Sequence, residues 1–320
     1  MLIQFMMLAF PMTDEPIVVL QKPWRISDQS RLGRPFAKDP CAITFKGRTL
    51  LYYSLPGNQG HGWGIGIVGS KDFIHWKKLG QLEAEQPAEG KGIAAPFALV
   101  RDGVVHLFYQ SYEGGPKDSI CHAISQDGIH FQRDPTNPIF RPKAPWSVGR
   151  AIDVEVAHFR DRWFLYYATR DPSYKTQFLG VAVSENGFSA GSWREASAEG
   201  PILKPELPWE RECIEAPTLL ELDRRLFMFY AGAYNNSPQV IGCAVSDDGL
   251  HWQRIAQEPL LANGPVGSWN SSESGHPGVY RSPDGQNYLF FQGNNDQGKT
   301  WWISRKRIEI SSKGLPILVD

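Results

Sequence analysis

The chain reads as all-β, a five-bladed β-propeller with four antiparallel strands per blade. Three observations predict this fold. An apolar run, a polar hairpin turn and an aromatic strand recur five times along the 320 residues. A small-residue strand ending in a Ser-x-Asp/Asn-Gly type of turn follows most of them. No stretch keeps a persuasive 3.6-residue apolar period, so helix is scarce.

The units follow in order. The first is "DPCAITFKGRTLLYYS" from Asp39, and the second is "APFALVRDGVVHLFYQS" from Ala95. Then come "IDVEVAHFRDRWFLYYAT" from Ile152, "EAPTLLELDRRLFMFYAG" from Glu215 and "GHPGVYRSPDGQNYLFFQG" from Gly275. The turns (Lys-Gly, Arg-Asp-Gly, Arg-Asp, Leu-Asp, Pro-Asp-Gly) are hairpin formers, and the aromatics Tyr53, Tyr109, Tyr167, Tyr230 and Phe291 mark the second strands. Third strands read "GIGIVGSKDFIHW", "CHAISQDGIHF", "GVAVSENGFSAGSW" and "GCAVSDDGLHW". Trp76, Phe131, Trp193 and Trp252 beyond them open the outer strands. The fifth unit closes with "TWWISRKRIEI" and lacks the Asp-Gly turn. Residues 31–320 are thus expected to form one propeller domain, and residues 1–30 an N-terminal segment that packs on it or closes it.

A net charge of −1 excludes nucleic acid and an anionic membrane as main partners, since both demand a basic excess. Aromatics at 12 %, with 11 Trp, serve strand-rich cores or sugar-stacking sites. The four cysteines (Cys41, Cys121, Cys213, Cys243) are widely spaced without zinc or C-x-x-C patterns, which predicts free, buried thiols. The leading "MLIQFMMLAFPMTD" lacks a basic start and an A-x-A site and is too short to span a bilayer. Cytoplasm is therefore the expected location. Oligomeric state is left open.

In a propeller the first strand of each blade lines the central channel. The residues that open the five units are Asp39, Ala95-Pro96, Asp153, Glu215 and His276. Three acids and a histidine from four blades then converge on one funnel. Such a set suits glycosidic hydrolysis: one carboxyl stays protonated to donate to the leaving oxygen, another is ionised, and a third tunes the first. Glu215, one methylene longer, suits the donor; Asp39 and Asp153 suit base and modulator. His276 reads either as a satisfied core histidine or as a group holding a water or a cation on the axis. His61 and Trp63 are candidates for an aromatic wall, and Phe97 for a platform under a sugar. Arg150 and Arg170 either bond hydroxyls or pair with Asp153 and Asp171.

These residues resemble the clan of five-bladed propeller glycosidases that holds glycoside hydrolase families 43, 32 and 68, and family 43 across nearly the whole chain. "KDPCAITF" is similar to that family's opening Asp-Pro strand, which implies general base for Asp39. "AIDVEVAHF" resembles its modulator segment, which implies that role for Asp153, and "IEAPTL" its Glu-Gly-Pro segment, which implies general acid for Glu215. "SGHPGV" resembles the Gly-His segment, placing His276 at the channel centre near a calcium or a water. Ala216 replaces the family's Gly, and Val154 stands where Pro is common.

The resemblance implies a glycoside hydrolase that cleaves terminal pentosides (α-L-arabinofuranosides or β-D-xylosides) with inversion, needing no organic cofactor. Two relatives in the same broad group imply alternatives. A β-fructosidase of family 32 carries Asn-Asp-Pro-Asn-Gly, whereas this chain has Lys38-Asp39-Pro40-Cys41. A family 130 phosphorylase shares turns close to "SKDFIHW", but Asp153-Val154-Glu155 replaces its Asp-Pro-Arg. A propeller that binds carbohydrate without turnover is the alternative of another class.

Overall fold

Strand order follows directly from the repeat. The computed structural model describes residues 15–58 and 60–320. Two strands, β1 (Ile17–Gln21) and β2 (Trp24–Asp28), precede the first blade. Blade one is β3 (Lys38–Phe45), β4 (Arg48–Leu55), β5 (Gly64–Ser70) and β6 (Lys77–Leu82). Blade two is β7 (Gly92–Arg101), β8 (Val104–Tyr112), β9 (Ile120–Ser125) and β10 (Gln132–Arg133). Blade three is β11 (Ile152–Phe159), β12 (Arg162–Arg170), β13 (Gln177–Ser184) and β14 (Arg194–Glu195). Blade four is β15 (Ile214–Leu222), β16 (Arg225–Gly232), β17 (Val240–Ser246) and β18 (Gln253–Arg254). The last blade has β19 (Glu273–Arg281), β20 (Asn287–Asn294), β21 (Trp302–Ile310) and β22 (Pro316–Val319).

Each blade is a sheet of sequential antiparallel neighbours, and only two short 3₁₀ turns interrupt the β structure among the described residues. No helix among those residues is long and apolar enough to cross a membrane. The fifth blade differs. The outer side of β21 is shared by β2, paired at Arg25–Ser304 and Ile26–Ile303, and by β22, paired from Arg307–Val319 to Ile310–Pro316. Both ends of the described chain therefore meet in one sheet. The expectation for residues 1–30 lies partly outside the described residues, because 1–14 are not among them.

The core sits between blades. Leu50, Tyr52, Ile65 and Ile67 of the first blade pack against Leu107, Tyr109 and Cys121 of the second, all fully buried. The small third-strand residues make room for the second-strand rings: a Cβ on Gly66 or Gly180 would lie 2.4 Å from the ring of Tyr53 or Tyr167. All four cysteines are free and buried.

Every inner strand breaks at the same place. The register shifts between Lys38 and Cys41, Ala94 and Phe97, Ile152 and Glu155, Glu215 and Thr218, and Gly275 and Gly278. The first bulged residue has positive φ in each case: Asp39 (53°), Ala95 (47°), Asp153 (52°), Ala216 (49°) and His276 (43°). Left-handed backbone is costly for a residue with a Cβ, so neighbouring blades must hold it. They do so from the residue after the second-strand aromatic: Ala95 N–H donates to Ser54 Oγ at 2.7 Å, Asp153 N–H to Gln110 Oε1 at 2.7 Å, and Asp39 N–H to Gln292 Oε1 at 3.0 Å. Proline as the second bulged residue (Pro40, Pro96, Pro217, Pro277) has no N–H to strand there.

Candidate active site

The bulges aim side chains into a funnel of about 700 Å³, measured with its open mouth. Asp39, Asp153 and His276 enter it from the bulge itself. Glu215 does not sit in the same register, contrary to the sequence expectation. Its blade places Ala216 at the bulge, so Glu215 shares its position with Lys38, Ala94, Ile152 and Gly275. The offset does not separate it from the others. His276 Nε2 lies 2.9 Å from Glu215 Oε1, and His276 Nδ1 lies 2.9 Å from Asp39 Oδ1. Ligating atoms of Asp153, Glu215 and His276 come within 4.8 Å of one another.

The remaining expected residues divide. Trp63, Arg150 and Arg170 line the funnel. His61 is exposed in a short bridge with Asn58 and is not among the lining residues. Phe97 is a correction to the platform reading. It lies beyond the bulge of its strand, lines a smaller space deeper in the channel and packs on Phe108 at 6.3 Å between ring centroids. The bulge resets the alternation of side chains, and a simple strand count puts Phe97 on the wrong side. The Arg150 and Arg170 pairings also differ from those expected. Arg150 Nε bonds Asp118 Oδ2 at 3.2 Å, and Arg170 Nε donates to Gln177 Oε1 at 3.1 Å.

Several site residues had no place in the sequence expectation. Gln177 donates to Glu215 Oε2, Gln239 donates to Glu215 Oε1 at 2.7 Å, and Asn235 reaches the same oxygen at 3.3 Å. Tyr112 and Tyr234 complete the wall.

Electrostatics sort the acids. Burial pushes the Asp39 carboxyl up, but the charge of His276 and then of Lys38 outweigh it, so Asp39 is held well below the usual range. Burial likewise opposes charge on Glu215, yet His276 and the Gln239 amide bring its pKa below the ordinary value. For His276, burial favours the neutral ring, whereas the two flanking carboxylates drive its pKa well up. Asp153 goes the other way. Burial dominates, the charges of Glu215 and Asp39 add to it against the pull of His276, and its pKa is pushed up to about 7. Its Oδ2 is buried without a hydrogen-bond partner. In the free protein these environments favour a proton on Asp153 over one on Glu215.

Asp153, Glu215 and His276 offer two carboxylates and a ring nitrogen that could hold a cation, with waters completing the six to eight ligands of a calcium. The imidazole lies between Asp39 and Glu215, whose charges favour its protonated form.

This arrangement, one ionised carboxylate on each side of an imidazolium and a third carboxyl keeping a proton, suits acid–base cleavage of an acetal. Known proteins agree with that chemistry. A sucrose-6-phosphate hydrolase of Zymomonas mobilis is 30% identical over 262 residues, covering 72% of this chain; this chain spans 44% of that protein's length. Among solved structures, a thermostable family-43 glycoside hydrolase superposes with a TM-score of 0.72 at 19% identity, covering 89% of this chain and 93% of the other. An endo-1,4-beta-xylanase of Bacteroides thetaiotaomicron gives 0.71 at 20% identity, covering 89% and 94%. An alpha-L-arabinofuranosidase of Lactobacillus brevis gives 0.68 at 15% identity, covering 88% and 94%. At these identities the structural likenesses speak for the fold. The sequence profile of glycosyl hydrolases family 43 matches residues 33–310, and the chain belongs to that family as a glycoside hydrolase.

Proposed function

We propose that this glycoside hydrolase removes terminal pentosides, α-L-arabinofuranosyl or β-D-xylosyl, with inversion. The carrying observation is the His276 bridge. Two 2.9 Å contacts to different nitrogens of one imidazole set Asp39 and Glu215 across the ring from each other. An inverting pair stands ~6.5–9.5 Å apart with room for a water, against ~5–5.5 Å in retaining pairs, and a ring between the two acids favours the wider arrangement.

Asp39 accepts a proton from water as its oxygen attacks the anomeric carbon. The glycosidic C–O bond breaks as Glu215 protonates the leaving oxygen. Asp153 and Glu215 share one proton. An aglycone that displaces the Gln177 or Asn235 amide from Glu215 removes support for its charge and moves that proton onto it. The choice of pentoside rests on the family-43 resemblance.

The sucrose-6-phosphate hydrolase relative favours a second reading, a β-fructosidase in which Asp39 attacks directly. Hydrolysis of aryl arabinofuranoside, xyloside, fructoside and galactoside, with and without phosphate, separates the readings. Pentoside turnover without phosphate supports the first. Fructoside turnover replaces it with the second, and a phosphate requirement makes the protein a phosphorylase.

A further inference from the structure

The funnel holds more positive charge than three carboxylates lead one to expect. Lys38 and Arg170 both line it, and neither has a carboxylate partner among the described residues. Lys38 Nζ rests 4.5 Å from the centre of the Trp301 ring. The Arg170 guanidinium lies against two aromatic rings, 4.4 Å from the centre of Tyr174 and 5.0 Å from that of Tyr234. Its Nε donates to Gln177 at 3.1 Å. Its two Nη nitrogens have no hydrogen-bond partner among the described residues. A planar guanidinium with its Nε committed keeps the Nη fork, the shape that receives an oxyanion in two parallel bonds.

The surrounding charges leave that fork available. Asp39 and Glu215 face His276, and Arg150 faces Asp118. Arg170 and Lys38 therefore remain able to receive a group of opposite charge.

We propose that the substrate carries an oxyanion, a phosphate or a carboxylate, on the leaving-group side of the scissile bond, received by Arg170 with Lys38 supplementing the charge. The side follows from connectivity: Arg170 bonds Gln177, and Gln177 bonds Glu215, the proposed donor to the leaving oxygen. The proposal rests on the acid–base reading of the site for its orientation, and on the two free cations for its chemistry.

The test uses aryl glycosides of one sugar with leaving groups of matched acidity, one uncharged, one bearing a carboxylate and one a phosphate. Wild type is expected to show a KM at least about ten-fold lower for an anionic aryl group than for the neutral one, the worth of one charge-assisted bond. Arg170→Gln should abolish that preference, Lys38→Met reduce it, and Arg170→Lys keep part of it. The carboxylate and phosphate arms show which oxyanion is preferred. Equal KM values in wild type, or an equal loss on neutral and charged substrates in Arg170→Gln, overturn the proposal. In parallel, inorganic phosphate is titrated by calorimetry into wild type and Arg170→Gln. If none of the glycosides turns over, the functional reading fails and the titration decides alone. Saturable millimolar or tighter binding that Arg170→Gln weakens supports the anion site, and no binding to wild type overturns it.

Discussion

The molecule buries carboxylates in two settings, and their contrast separates structure from chemistry. Toward the outside of the blades, Glu89 accepts from Tyr109 at 2.5 Å and Arg133 at 2.7 Å, and Glu210 accepts from Tyr230 and Arg254 at 2.7 Å each. Both also accept two backbone N–H groups. Burial there pushes the carboxyls up, but these bonds outweigh it and leave both below their ordinary pKa. In the funnel, Asp153 is as buried as those two, yet one oxygen has no partner and its pKa rises to about 7. A carboxylate whose every oxygen is satisfied locks blades together. Asp153, short of one partner and beside two other acids, has its pKa raised instead.

The contrast can be broken at either end. The largest effect is expected at Glu215→Gln. Loss of the general acid should lower kcat by about 10²–10⁴-fold, with partial recovery on a substrate whose leaving group needs no proton. Thermal unfolding of the same variant should show little loss. Glu210→Ala should do the reverse. Leaving Arg254 and Tyr230 without their acid should cost about 3–5 kcal/mol of stability, read from denaturant unfolding, while kcat of the folded fraction holds.

Asp153→Asn sharpens the comparison through pH. The folded pKa of Asp153 lies above its unfolded value, so the folded state keeps a proton that the unfolded chain gives up. Wild-type stability therefore falls as pH rises from about 4 through 7. The variant escapes that loss. It should match wild type at pH 4 and exceed it by a few kcal/mol at pH 8. Its activity should fall, and the alkaline limb near pH 7 in wild-type kcat/KM should move. The smallest effect belongs to His61→Ala, expected to change kcat/KM by less than about two-fold, since surface positions away from a site usually matter little.

Much of this was legible before any coordinates. The five aromatic second strands and the Asp-Pro and His-Pro openings carry the period, because each blade repeats the same packing problem against its neighbours. The offset of Glu215 was marked by Pro217, which aligns Ala216 with Asp39, Ala95 and His276 before their own prolines, but the pull of the acid hid it. Phe97 was misplaced because strand alternation ends at the bulge that Pro96 marks. Gln177, Asn235 and Gln239 come from a third-strand start and a loop far apart in the chain. Asn235 and Gln239 lie in the loop between β16 and β17 of Glu215's own blade, whereas Gln177 meets it only when blades three and four pack side by side. The fifth blade's difference was half visible in the missing Asp-Gly turn; β21 instead turns at Ser311–Leu315 into β22 and also takes β2 on its outer side.

The most direct test of the account is the anomeric configuration of the first-formed sugar, followed by proton NMR during the earliest turnovers of the best substrate. With His276 set between Asp39 and Glu215, the account predicts inversion. A product that retains configuration would contradict it, by showing that Asp39 reaches the anomeric carbon itself.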